Sequence, residues 1–229
     1  MRKWPFGVIA MGLLACSCSA STPSSTTPAH SVQPSFEVRP VLCWAPAFAS
    51  QPGEINGSPA GRPSCSQGYQ LTATNLGIKP DPSNAEGYDS NASVAPDPTL
   101  ASYPTTAHGA DEPLNTVILP AWPPAANPPN VRFVLGPAAL TATSVQGVEV
   151  LNQSGQWMVN VTLTPSGAAS WDALASTHFH TFLAVVVNGL VVSAAITEPV
   201  QSSFTSYGGQ VEISGGFSED QAKALAVQI

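Results

Sequence analysis

The chain has 229 residues, of which 23 are proline, 7 are Lys or Arg and 14 are Asp or Glu, for a formal net charge of −7. Charged residues make up 9% of it, against about 25% in an ordinary soluble domain, and no basic block offers a phosphate-binding surface, so nucleic acid is not an expected partner. A hydrophobic fraction of 43% is too high for a wholly disordered chain, so a folded domain with a proline-rich arm is expected.

At the N-terminus, Arg2 and Lys3 precede an apolar run from Phe6 to Ala15, and Leu13-Leu14-Ala15-Cys16 then sets a small residue before a cysteine. This is the charged, apolar, small-residue order of an export signal. It resembles the lipobox of bacterial lipoproteins, in which the cysteine is acylated and becomes the new N-terminus. The resemblance implies a signal peptide over residues 1–15 and lipidation at Cys16. Cys18 is the less favoured site, because Ala15-Cys16-Ser17 is a poorer lipobox. The alternative is an ordinary secretory signal with an incidental cysteine. Some ten apolar residues are about half of what a membrane-spanning helix needs. Removing residues 1–15 takes away Arg2 and Lys3 and deepens the acidic balance. The expected address is the outer face of the bacterial cytoplasmic membrane, held there by lipid. Residues 16–35, rich in Ser, Thr and Pro, read as a disordered tether.

Residues 36–130 hold 16 of the 23 prolines and offer only short strand candidates, at Phe36–Leu42, Tyr69–Thr74 and Thr116–Leu119. Pro80-Asp81-Pro82 and Pro96-Asp97-Pro98 punctuate the section as turns, and Pro123-Pro124 with Pro128-Pro129 close it as a semi-rigid spacer. Cys43 and Cys65 lie in the exported part, where disulfides persist, and a bridge between them is expected. The absence of C-x-x-C gives no sign of zinc or thioredoxin chemistry. Trp44 and Trp122 read as packing anchors in preference to ligand platforms.

From Val131 periodic elements begin. Strands are expected at Arg132–Leu135, Val145–Leu151 and Trp157–Thr164, the last with alternating apolar residues. Thr164-Pro165 supplies an N-cap and a first-turn proline for a helix to about Thr177, with a stripe of Ala168, Trp171, Leu174 and Ala175. Phe182–Val187 and Leu190–Ile196 flank Asn188-Gly189, a hairpin signal, and read as mid-sheet strands covered by helices. Gln210–Ser214 is the last strand, and Ser218-Glu219-Asp220-Gln221 is a capping box for a final helix. The expectation is an α+β fold: a small sheet with a β-hairpin and two packing helices, in a domain of residues 131–229.

Several of these stretches together resemble the head subdomain of the large periplasmic domain of SecD, the membrane partner of the bacterial protein-export channel. They are Phe133 to Ala138, Gln156 to Val159, Leu163 to Ala168, Leu183 to Gly189, and Ile213 to Ser218 with Gln221, Ala222, Leu225 and Ala226. Arg39-Pro40-Val41-Leu42 is similar to the strand entering the head in actinobacterial SecD. The resemblance implies a non-catalytic, protein-contacting domain outside the membrane, with exported polypeptides or export-channel subunits as partners. SecD couples the proton gradient to export through helices bearing ionisable residues. The longest apolar stretch here, Phe182 to Ile196, is split by Asn188-Gly189, and no such helix is expected.

Catalytic and metal signals are sparse. His178-Phe179-His180 has no Cys, Asp or Glu within five residues and suits a helix end better than a metal site. Asp172 precedes His178, but no G-x-S-x-G elbow accompanies it. Gly208-Gly209 and Gly215-Gly216 lack the spacing of a phosphate cradle, and Gly215-Gly216 is expected to make a tight strand-to-helix turn. No enzyme activity, metal or cofactor is therefore expected. The candidate contact surface is the uncharged loop Gln201–Gly209 with Phe204 and Tyr207, whose rings either project to stack on an extended polymer or fold back on the domain. A cell-envelope ligand unrelated to export is the rival reading.

Overall fold

Strand β1 (Phe36–Ala45) shows why the amino-terminal half is more than a spacer. Phe36 and Val38 point to one side of it, while Glu37, Arg39 and Val41 point to the other. An irregularity between Val41 and Cys43 then shifts the phase, so that Trp44 joins the Val41 side. Nearly every residue of the strand is buried, which requires neighbours on both edges and both faces. In this computed structural model, residues 35–48, 62–84, 87–91, 93–107, 111–122 and 131–229 are described, all within a single unit, Val32–Ile229. Cys16, Cys18, the tether and the Pro123-Pro124 and Pro128-Pro129 pairs lie outside the described residues.

The strands following β1 are β2 (Lys79–Pro80), β3 (Tyr88–Asp89), β4 (Val117–Pro120), β5 (Arg132–Leu135), β6 (Leu140–Thr141), β7 (Val145–Gln153) and β8 (Gln156–Leu163). Helix α1 (Pro165–Thr177), β9 (Phe182–Val187), β10 (Leu190–Ile196), β11 (Gln210–Phe217) and α2 (Glu219–Ala226) complete the α+β fold. The larger sheet runs β10-β9-β1-β5-β4, with β6 paired to the start of β1. A second sheet runs β11-β8-β7, and β2 and β3 form a small ribbon.

Strand pairing crosses the boundary expected at residue 131. β1 pairs antiparallel with β9 on one edge and with β5 on the other, and β4 pairs with β5. Proline content misled here, because it reports local stiffness, whereas ladder partners are set by residues more than a hundred positions away. The hairpin strands β9 and β10 are covered by helices on one face only. That face meets the second sheet, Trp171 of α1 and Leu225 of α2. The other face is covered by irregular chain carrying Leu71 and Leu76. The strand expected at Tyr69–Thr74 is instead a 3-10 turn, Gln67–Tyr69, and a bend. Asn75 donates its side-chain amide to the carbonyls of Gln70 and Gln67, and such local bonds compete with extension.

Proline supplies a carbonyl and no N–H, so the proline-rich cover is short of donors. Two buried arginines supply them. Arg39, fully buried, pairs with Glu37 and donates to the carbonyls of Asn115 (2.9 Å), Gly136 (3.0 Å), Glu112 (3.2 Å) and Asp111 (3.4 Å). Arg132 donates to the carbonyls of Pro46 (2.8 Å), Tyr103 (2.6 Å) and Leu100 (3.0 Å), and burial lowers its pKa. The planar five-donor fork is the side chain that can serve several carbonyls at once. Cys43, buried in β1, is bonded to Cys65, which ties the same cover to the sheet.

Asp97, fully buried, accepts from the backbone N–H of Ser66 (2.6 Å) and from the N–H and hydroxyl of Thr99. Burial by itself would raise its pKa, but these hydrogen bonds outweigh that and hold it below the ordinary carboxylate range. Asp97→Asn is expected to cost about 1–3 kcal/mol at neutral pH, since the amide keeps one acceptor oxygen for Thr99 but sets an NH2 donor against the Ser66 N–H and removes the charge from the buried bonds. A depressed carboxylate stabilises the fold above its unfolded pKa of about 4 and loses that contribution as pH falls through the folded value. Urea titrations at pH 7 and pH 3 should show the gap between variant and wild type narrowing in acid. A constant gap would assign the effect to packing alone.

The expected local signals in the carboxyl-terminal part are present. Thr164 caps α1, Ser218 and Gln221 form a reciprocal capping box on α2, and Asn188-Gly189 turns with positive φ at both residues. Ser154-Gly155 makes the same kind of turn between β7 and β8. Gly215-Gly216 does not form the strand-to-helix turn expected of it. Both lie inside β11, where a pairing irregularity between Ser214 and Phe217 uses the positive φ of Gly216.

Candidate interaction site

The two larger sheets face each other across a shared core, and they part where β10 and β11 run past one another. A cavity of about 400 Å³ opens there. Its floor is Val38, Leu183 and Val185 of the larger sheet, Val211 of β11 and Trp171 of α1. Its rim carries Ser193, Ala195, Tyr207, Gln210 and Glu212. The Trp171 indole N–H donates to the carbonyl of Gln210 (3.1 Å), which fixes the ring as one wall.

Phe204 and Tyr207 do not project from their loop. Both are half-buried against the core, with Tyr207 5.2 Å from the Trp171 ring and 6.1 Å from Phe204, centroid to centroid. The loop is held from below. Asp172 of α1 accepts from the Ser206 hydroxyl and the Tyr207 N–H, and Glu198 accepts from the Thr205 N–H. At its end Gly209 (φ 75°) is buried where a Cβ would lie 2.9 Å from that of Ala168, so a larger residue would push the loop off α1. Burial, reinforced by the Glu198 charge, raises the Tyr207 pKa, and the phenol stays neutral through the physiological range. Of the two readings open from sequence, the rings fold back, and only Tyr207 of the pair reaches the cavity rim.

Asp172 therefore anchors a loop. Ser206 bonds to it directly, and neither His178 nor His180 is among its hydrogen-bond partners. His178 caps the end of α1 and lines a second cavity of about 570 Å³ beside Leu42, Cys65 and Leu71. Burial lowers its pKa. His180 is buried at positive φ (62°), with Nε2 2.8 Å from the carbonyl of Gln201. The structure brings the two histidines to no shared metal-ligand set, and among the described residues no group of three or more His, Cys, Asp and Glu could hold a metal ion. Trp44 and Trp122 are packing residues, Trp44 edge-on to Phe133 and Phe182, and Trp122 edge-on to Phe217. Sequence reasoning missed the cavity and the Asp172 anchor, because both depend on β10, β11 and α1 converging.

Residues 124–229, the stretch from just before β5 through α2, match the family model described as SecDF, P1 head subdomain. This region is similar to the SecD head. The match does not reach β1 and β4, which nonetheless complete the head's larger sheet. Among solved structures the chain is similar to a SecDF described as a membrane component that enhances protein export, at 16% identity, with 86% of this chain and 61% of that chain covered and a TM-score of 0.42. It is also similar to SecDF in a super-membrane-facing form (16% identity, 85% and 18% covered, TM-score 0.41). A translocon-associated SecDF from Thermus thermophilus matches at 29% identity, with 42% and 13% covered and a TM-score of 0.31. The chain thus spans less than two thirds of each. No curated protein matches it. Among the described residues no helix is long and apolar enough to cross a membrane.

Proposed function

We propose that this chain is a lipid-anchored extracytoplasmic protein whose SecD-like head is a non-catalytic protein-interaction module accessory to protein export. The observation that carries the reading is the match of residues 124–229 to the P1 head subdomain of SecDF. Cys16 provides the anchor, and the outer face of the cytoplasmic membrane is the place of action. Exported polypeptides or export-channel subunits are the partners, met at the cavity beside Tyr207. The proposed chemistry is contact alone, with no bond made or broken.

A photo-crosslinking residue at position 195, on the cavity rim, or at position 204, in the loop, should trap exported chains or channel subunits in living cells. Recovery of neither sinks the export role. Labelling with a clickable fatty acid should mark the wild-type chain and fail for Cys16→Ala. Retained label on Cys16→Ala would move the anchor to Cys18. The rival reading, a cell-envelope ligand unrelated to export, draws on the cavity's size, which lies within the range of small-molecule sites. It requires a saturable rise in melting temperature with an envelope compound.

A further inference from the structure

β10 differs from the other strands that end the two larger sheets. β4 ends in Pro120, β7 contains Glu149 and β11 contains Glu212, whereas Leu190–Ile196 holds neither charge nor proline. Prolines and charges are the usual protection of a sheet edge against pairing with another strand. The unprotected strand is also the one beside the cavity.

The pairing register fixes which backbone groups face outward. β10 pairs with β9 from Leu190↔Val187 to Ile196↔Phe182, and the Thr197 N–H donates to Thr181. Alternation from that bond directs the N–H and C=O of Ala194 and Ile196 away from β9. Neither residue has a backbone partner on that side among the described residues. One position earlier on the same edge, the Val191 carbonyl accepts the Trp122 N–H at 2.8 Å, and Ala121 bridges Val191 in parallel. This edge therefore already receives extended backbone. The two residues after Trp122 are prolines, which have no N–H to continue the pairing.

We propose that the open edge of β10 at Ala194 and Ile196 receives an extended segment of unfolded polypeptide by strand addition, with one side chain entering the cavity between β10 and β11. Unpaired N–H and C=O groups at strand spacing are complementary to another extended backbone. Ser193 and Ala195 turn toward the cavity, so alternate side chains of an added strand lie over an apolar floor. Glu212 is the only acidic or basic residue on the lining, so the segment is apolar to basic and free of acidic residues. The inference rests on the protein-contacting reading and adds to it the mode of capture and the side-chain preference.

The test uses the purified full chain and a fluorescent nine-residue peptide of alternating valine and serine. A second peptide of the same sequence has every amide nitrogen methylated, which keeps the side chains and removes the donors. The unmethylated peptide should bind at least tenfold more tightly, as expected for the loss of two or more hydrogen bonds. Replacing valine, the residue that faces the apolar floor and Glu212, with glutamate should weaken binding to a similar degree. Ala194→Pro removes one outward N–H at an edge, where proline is tolerated, and should lose at least tenfold in affinity with unchanged circular dichroism. If that variant does not fold, the methylated peptide decides the matter on wild-type protein. Equal affinity for both peptides overturns strand addition while in-cell crosslinks to exported chains leave the interaction role standing. Failure to bind either peptide overturns it as well. So does a concentration-dependent dimer abolished by Ala194→Pro, which would assign the edge to a second copy of the chain.

Discussion

Arg39→Met should destabilise the protein by about 3–5 kcal/mol, the range for removing one partner of a buried ion pair. Glu37, itself buried, would be left without its partner, and the carbonyls of Asn115 and Gly136 would lose their donor. Methionine fills much of the volume, so the loss reports charge and hydrogen bonding more than a cavity. The double variant Glu37→Gln/Arg39→Met should recover part of the loss, because the unpartnered carboxyl is then absent. Denaturant midpoints of the four proteins in this cycle give the coupling directly. A single-variant loss below about 1 kcal/mol would show that water reaches the guanidinium site and that the clamp on residues 111–115 is unimportant.

Breaking the Cys43–Cys65 bond is the second large expected effect. The bridge closes a 22-residue separation, for which loop-closure entropy gives about 3 kcal/mol. For a unit of this size that corresponds to a fall in melting temperature of roughly 6–12 °C. Cys43→Ser/Cys65→Ser should show it, and wild type in reductant should approach the same value. The effect should also be local. Leu71, which donates its N–H to the Leu42 carbonyl and packs under the cover, should lose hydrogen-exchange protection ahead of Val159 in the second sheet. Uniform loss of protection at both positions would show that the cover and the two-sheet core open together.

The carboxyl-terminal elements were legible because their signals are short-range. Thr164-Pro165, Ser218 to Gln221, Asn188-Gly189 and the alternation in Trp157–Thr164 each act within a few residues, so the sequence states them directly. The candidate site was only half legible. Phe204 and Tyr207 drew notice as aromatics in an uncharged loop, but Asp172 and Glu198, which turn that loop inward, lie 35 and 7 residues away from their bonded N–H groups. The β10 edge left no composition signal at all. An apolar strand reads the same in the middle of a sheet and at its border, and only the folded pairing of strands separates the two.

Composition and motif determined that this is an acidic, proline-rich chain with an α+β carboxyl-terminal part and a likeness to the SecD head. Tertiary structure decided that the proline-rich residues belong to the head's own sheet and cover. It did so through β1 seated between β9 and β5, through two arginines that serve donor-poor carbonyls, and through one disulfide. The physical reason is range. Turns, caps and periodicity are fixed by neighbours in sequence, whereas the burial of Arg39 and the exposure of an edge depend on residues that meet only when the chain has folded.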